Sequence, residues 1–312
     1  MANGEIDFYD KSTLKSYNLT SSMRYQLSML DKLDIFTRKH SENVASIVCR
    51  LCEYLHLSKN FTSYCTICAY LHDIGKIFIP PEILQKPTKL TDSEYEIIKT
   101  HTILGYKMCM DDLELRPYAL GPKYHHECLN GTGYPEGLKG NEIPLEDQII
   151  KVADEYDAIV TKRQYKTHVN ISKTLQELIQ ETQPSTREVA LDNAANGVKL
   201  GRLNKKVVKT LFKVVIEDTE YEISCLLGYI DYLKDEIKRL ETILNYENKM
   251  RASKTEKKQN YFKEGMKQLF SEGENFDNYY NVLCEYQEAL KNRNEIINAL
   301  YNEIKIIKKL KV

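Results

Sequence analysis

The chain has 312 residues, enough for one full catalytic core plus an appendage, or for two modest domains. Lys and Arg number 44 and Asp and Glu 45, a net charge of −1, which removes any global electrostatic case for a nucleic-acid polymer or an anionic membrane as partner. Apolar residues at 42%, charged residues at 29% and few Gly and Pro (13 and 8) describe a soluble protein built from long helices, not a turn-rich β protein.

In chain order, residues 1–30 are polar with scattered apolar positions and read as one or two short lead-in helices. Val44, Ile47, Val48, Leu51 and Leu55 then recur at spacings of three and four, the stripe of a core-facing helix, with His40 on the same face. A second apolar helix around Tyr64 to His72 stops at Asp73-Ile74-Gly75, and Pro80-Pro81 prevents its continuation. Thr91-Asp-Ser-Glu94 has the form of a capping box and is expected to open a helix carrying Ile97, Ile98 and His101. Gly131-Thr-Gly-Tyr-Pro135 is a turn, and Ile149 to Ile159 is helical with Ile150, Asp154, Asp157 and Ala158 on one side. No long strand-like alternation occurs, so the expected fold is all-α, a helical core over about 31–215. From about 216 to the end, a heptad seam (Ile223, Leu226, Ile230, Leu233, Ile237, Leu240, Leu244) and a second one (Leu283, Tyr286, Leu290, Ile297, Leu300, Ile304, Ile307, interrupted at Arg293) predict two long helices. They form either a hairpin or a coiled coil that pairs two subunits, and basic, polar 249–265 is expected to be a break or loop. No run of about 18 apolar residues is present, and the polar, acidic N-terminus is unlike a secretory signal. The sequence therefore reads as cytoplasmic, with its eight cysteines as reduced thiols.

Seven histidines carry the chemical signal. His72-Asp73 is an adjacent pair at a helix end, followed by Gly75 and Lys76; His125-His126 is a second pair, followed by Glu127. His40, His101 and Asp154 come singly from other helices. Two neighbouring side chains can point into one cavity at a helix terminus, whereas in mid-helix they diverge. Imidazoles with carboxylates suit Zn, Fe, Mn or Co, and two ions about 3.5–4 Å apart can clamp both oxygens of an in-line phosphoryl displacement.

His72-Asp73-Ile-Gly-Lys76, His101 with Gly105, His125-His126-Glu127, Gly131-Thr-Gly-Tyr-Pro135, Asp154-Glu-Tyr-Asp-Ala158 and Arg163-Gln-Tyr-Lys166 together resemble the HD-GYP subgroup of the HD phosphohydrolase superfamily, in order and spacing, across about residues 30–210. The resemblance implies an HD-domain helical core and a phosphodiesterase that hydrolyses cyclic di-GMP to linear pGpG, and in some members to GMP, through a dinuclear centre with a bridging hydroxide. It implies that His40, His72, Asp73 and Asp154 hold one metal ion and that Asp73 bridges to a second held by His101, His125 and His126. Lys76 would sit beside the scissile phosphate, and Tyr134, Arg163 and Lys166 would contact bases and phosphates. Iron or manganese is the expected metal. Some members hold a third ion through a glutamate one helical turn before the first histidine; Phe36 stands there, so two ions are expected. Asn130 replaces the usual aspartate of the turn, which keeps the turn's side-chain bonds but not the charge.

Alternatives remain open on the sequence. Cyclic GMP-AMP or another nucleotide phosphoester would use the same metal site, and a sensor that binds the dinucleotide without hydrolysing it would act through the C-terminal helices. His40 or His101 taken singly reads as a core histidine, and His56 and His168 match no motif and read as surface residues. Cys49-Arg-Leu-Cys52 and Cys65-Thr-Ile-Cys68 have zinc-site spacing, but both lie in apolar helical stretches without the Gly or Pro of a zinc knuckle, so they read as core packing. Cys128 lies near the expected site and reads as an oxidisable thiol. Asp157 is placed to orient a ligand from the face of Asp154. The C-terminal helices are the expected dimerisation or input element.

Overall fold

A computed structural model describes residues 35–164, 171–184 and 200–312, and it is all-α. Among these residues the only β pairing is an isolated bridge between Asn130 and Lys139. The lead-in segment 1–30, Lys166 and His168 lie outside the described residues.

The N-terminal unit is built around α1 (Ile35–Tyr54), α2 (Lys59–Leu71) and α7 (Leu145–Gln164). Helix α1 packs on α2 and on α7. The stripe read from the sequence faces inward: Val44, Val48 and Leu51 are fully buried, as are Cys49 and Cys52 on the same helix and Cys65 and Cys68 on α2. Each thiol of α2 donates to a backbone oxygen, Cys65 to Glu146 and Cys68 to Tyr118. The four cysteines are part of the core.

Between α2 and α7 runs a series of short elements: a 3-10 turn (Ile74–Phe78), α3 (Pro81–Leu84), α4 (Asp92–Lys99), α5 (His101–Asp111) and α6 (Leu120–Tyr124). Helix α8 (Ile171–Glu181) then packs on α7. The capping box is formed, with Thr91 Oγ1 accepting from Glu94 N and Glu94 Oε2 from Thr91 N. The expectation that one helix runs from this box through His101 is corrected: α4 ends at Lys99 and His101 opens α5. Three consecutive side chains take the last carbonyls of α4, Thr100 Oγ1 on Ile97 O, His101 Nδ1 on Ile98 O and Thr102 Oγ1 on Lys99 O. Side-chain capping of this kind ends a helix. Helix α5 presses against the turn at 74–78 at Gly75, where an added Cβ would meet His101 O at 1.9 Å and Gly105 N at 2.5 Å. Only a glycine permits that approach, and it brings His101 beside His72-Asp73.

The chain divides at Val215/Ile216 into a second compact unit, a boundary that falls within α9 (Lys205–Ala252). The second unit continues with α10 (Glu256–Lys267) and α11 (Tyr279–Ile307). Its buried residues form two apolar clusters. Ile223 and Ile230 of α9 meet Ile297 and Ile304 of α11, while Ile237, Leu240 and Ile243 meet Met266 of α10 and Tyr279 and Leu283 of α11. Early residues of α9 pair with late residues of α11, so the seam closes within the chain as an antiparallel hairpin. Arg293, which interrupts the second seam, lies over the Tyr229 ring at 5.8 Å. The expected loop at 249–265 is corrected too: the interruption is only 253–255, and α10 follows. Helix-favouring Lys and Glu form α10, and Met266, fully buried, anchors it to the cluster.

Candidate metal centre

Five histidines and two aspartates converge in the N-terminal unit, and the local structure explains how. His72 ends α2, His101 opens α5 after the end of α4, and His125 ends α6. Each donates Nδ1–H to the carbonyl three residues earlier: His72 to Ala69 at 2.6 Å, His101 to Ile98 at 2.6 Å and His125 to Pro122 at 3.0 Å. A carbonyl only accepts, so Nδ1 carries a proton in all three, and Nε2 is the nitrogen that the neutral ring offers as a lone pair. The same bond that caps a helix end thus fixes the tautomer and aims the free nitrogen inward.

Those nitrogens meet around Asp73. Nε2 of His101 and His125 lie 3.5 and 3.9 Å from Asp73 Oδ1, and His72 Nε2 lies 3.3 Å from Oδ2. His101 Nε2 and His125 Nε2 are 3.2 Å apart with no proton between them. His72 Nε2 and Asp73 Oδ1 are buried and make no hydrogen bond. Lone pair facing lone pair in a dry interior is costly unless a cation stands between them. Asp73, His101, His125 and His126 form one group able to hold an ion, and His40, His72 and Asp73 form another, so Asp73 belongs to both. Asp154 stands at the second group, its Oδ1 3.0 Å from His40 Nε2 and 4.0 Å from His72 Nε2. This nitrogen and oxygen donor set fits first-row divalent ions.

The charges fit as well. Burial pushes the His101 imidazolium down to about 4 and holds His125 and His126 well below the usual histidine range, each further lowered by a neighbouring histidine, so all three are neutral near pH 7, as donors to a cation must be. Burial opposes the charge on Asp73, yet the Lys76 ammonium and the histidines around it outweigh burial and keep this carboxyl well below the ordinary range. Burial likewise opposes Asp154, and the bond from His40 and the other histidines keep it low. His40 is different. Burial works against its charge, but the bonds to Asp154 and Asp157 push it up to about 10, so a proton occupies the place between carboxylates where a cation would sit.

The residues around the centre hold it in place. Asp157 Oδ2 bonds His40 Nδ1 at 2.6 Å and its Oδ1 accepts from Asn43 Nδ2 at 3.1 Å, so it orients His40. Lys76 Nζ lies 2.5 Å from Asp73 Oδ2. Glu127 accepts from the backbone N–H groups of Glu136, Gly137 and Leu138, and so clamps the Gly-Tyr-Pro turn instead of touching a ligand. The turn lies flat on the ligand segment at Gly133, where a Cβ would come within 2.4 Å of Cys128 N. Tyr134, joined to Pro135 by a cis peptide bond, stacks on His126 at 4.7 Å. Asn130 keeps the turn's bonds, its Oδ1 accepting from Thr132 N and Oγ1.

A cavity of about 680 Å³ opens over the centre, lined by His40, Lys76, His101, His126, Tyr134 and Asp154 among others. Arg163 lies in the last turn of α7 with its side chain outside the description, and Lys166 lies outside the described residues altogether. The cavity also has lining residues that the sequence reading missed: Tyr95, Lys99, Lys151, Glu155 and Arg202. For Lys151 and Glu155 a signal existed, since they fall one helical turn before Asp154 and next to it. Arg202 gave none, because only the fold brings it there. His56 is exposed on the surface with a left-handed backbone (φ 56°).

A family model described as HD domain matches residues 5–185. This chain belongs to the HD domain family. Curated relatives of this HD domain protein include a cyclic di-GMP phosphodiesterase of Thermotoga maritima, 39% identical over 156 residues, which are 49% of this chain and 42% of that protein. The cyclic di-GMP phosphodiesterase PdeB of Borreliella burgdorferi is 33% identical over 196 residues, 63% of this chain and 45% of that protein. A 3'3'-cGAMP-specific phosphodiesterase 3 of Vibrio cholerae is 34% identical over 147 residues, 47% of this chain and 32% of that protein. The chain spans less than half the length of each of these relatives.

Proposed function

We propose that this HD domain protein is a metal-dependent phosphodiesterase that opens a cyclic dinucleotide, cyclic di-GMP first, at a centre of two divalent ions. The observation that carries the reading is the convergence of the Nε2 atoms of His72, His101 and His125, each ring held by an Nδ1–H bond to a carbonyl, on the buried Asp73. In this reading His40, His72, Asp73 and Asp154 hold one ion, Asp73, His101, His125 and His126 the other, and iron or manganese fills both. The ions would supply the Lewis acidity that polarises the phosphate and activates water.

The chain's own residues do the rest. Asp157 holds His40 in register, carbonyls at helix ends hold His72, His101 and His125, and Lys76 adds positive charge beside Asp73 where the phosphate oxygens gain charge. Tyr134 forms one wall of the cavity over His126 and receives a base, and Arg163 and Lys166 contact bases and phosphates. Water adds to phosphorus, the bond to the ribose 3′ oxygen breaks and that oxygen takes up a proton, leaving linear pGpG with a 5′-phosphate. Residues 31–215 form the catalytic domain, and 216–312 dimerise it or receive a signal. Eight free thiols suit a reducing compartment, so the reading includes the cytoplasm.

Cyclic GMP-AMP is the second reading, favoured by the similarity to the cGAMP-specific enzyme. The test is hydrolysis of both dinucleotides by protein purified without oxygen, beside an Asp73→Ala variant. Cyclic di-GMP converted to pGpG by the unmutated protein alone is the expected result. Preference for cyclic GMP-AMP would install the second reading, and a metal-loaded protein that cleaves neither would end both.

A further inference from the structure

The cavity over the histidine–aspartate centre has a second charged wall. Helix α7 turns Lys151, Asp154, Glu155 and Ala158 into it, the i, i+3, i+4 and i+7 positions of one face, and Arg202 enters from the segment that precedes α9. The Lys151 side chain is only 8% exposed, and among the described residues its Nζ pairs with Glu155 Oε1 alone, at 3.0 Å. Two of the three N–H donors of that ammonium therefore have no acceptor among the described residues. A buried charge is normally paired and hydrogen-bonded in full, so donors left over at a cavity wall are donors for what fills the cavity. Arg202 is held ready beside it. Its Nη1 donates to Glu181 Oε2 at 2.9 Å, and its Nη2 stands 3.5 Å from the Glu155 oxygen that Lys151 uses. The two cations thus share one oxygen of Glu155, and Arg202 has Glu181 as its second partner. Lys76 stands at the centre with Asp73 and serves the phosphate being cleaved, whereas Lys151 and Arg202 are tied to Glu155, outside the ligand set.

We propose that Lys151 and Arg202 form a second anion subsite that takes the phosphate not undergoing cleavage, so that the cavity selects a ring with two phosphodiesters over a diester with one. The inference rests on the proposed function, since it concerns how that same site recognises its substrate.

The experiment compares cyclic di-GMP with bis(p-nitrophenyl) phosphate, a single-phosphate diester, using manganese-loaded full-length protein and its Lys151→Met, Lys151→Arg and Arg202→Gln variants. Loss of a charged hydrogen bond lowers the ratio of kcat/KM for the dinucleotide to that for the small diester by about tenfold or more in Lys151→Met and Arg202→Gln. The loss lies in KM for the dinucleotide, and Lys151→Arg recovers most of it. Arg202, with a side chain 41% exposed, carries the test should Lys151→Met fail to fold. An unaltered ratio, whether both substrates suffer equally or neither does, overturns the subsite and leaves the function standing. An unmutated protein that cleaves the small diester but no cyclic dinucleotide removes the function and the subsite together.

Discussion

The two compact units bury their side chains on opposite terms. In the C-terminal hairpin the buried clusters are Ile, Leu, Met and Tyr, and Arg239 is paired, 2.7 Å from Glu236 and from Glu274. In the N-terminal unit His72, Asp73, His101 and His125 are almost wholly buried, with nitrogens and oxygens turned toward each other and with His72 Nε2 and Asp73 Oδ1 making no hydrogen bond. The apolar seam of the hairpin is ordinary packing, whereas the N-terminal unit keeps buried polar atoms without hydrogen bonds, at the centre and also at Ser41 and Asp147. At the centre such atoms converge with other histidines on one shared carboxylate, an arrangement that a bound cation would complete.

Several experiments break or sharpen this contrast. Replacing His72 with Ala removes a ligand from the centre, and turnover falls by about a thousandfold, measured as initial rate of dinucleotide hydrolysis. Replacing Leu240, fully buried in the hairpin, with Ala costs about 2–5 kcal/mol of stability by urea denaturation, because its site is purely one of packing. Manganese at about a hundred times its Kd stabilises the unmutated protein by about 2.7 kcal/mol. That appears as a rise in melting temperature of roughly 5–10 °C, which the Asp73→Ala variant lacks. Asp157→Asn leaves every ligand in place but loosens the hold on His40, and manganese affinity falls about 10–100-fold by calorimetry. If the centre were ordinary core, metal would not move its melting temperature and Asp157→Asn would not alter any affinity.

Much of this was legible in the chain. The stripe from Val44 to Leu51, the Thr91 capping box and the apolar seams from Ile223 and Leu283 are local patterns, and local patterns survive without knowledge of the fold. The histidines and aspartates stand in motifs whose order alone marks them as a set. Two local readings failed for physical reasons. Thr100, His101 and Thr102 cap α4 with their own side chains, a signal hidden inside an apolar helical stretch. The basic run 256–265 looks solvated, and most of it is, yet Met266 just beyond it fixes the helix to the hairpin. In the charged wall, Lys151 and Glu155 could be read from their place beside Asp154 on one helix, whereas Arg202 could not, because it depends on where a distant segment arrives in space.

Titration of manganese into metal-free protein, followed by calorimetry and beside the Asp73→Ala variant, tests the central claim most directly. Two ions per chain bound by the unmutated protein, with both sites lost together in the variant, are what a shared Asp73 requires. No saturable binding, or two sites that survive the loss of Asp73, would contradict the account.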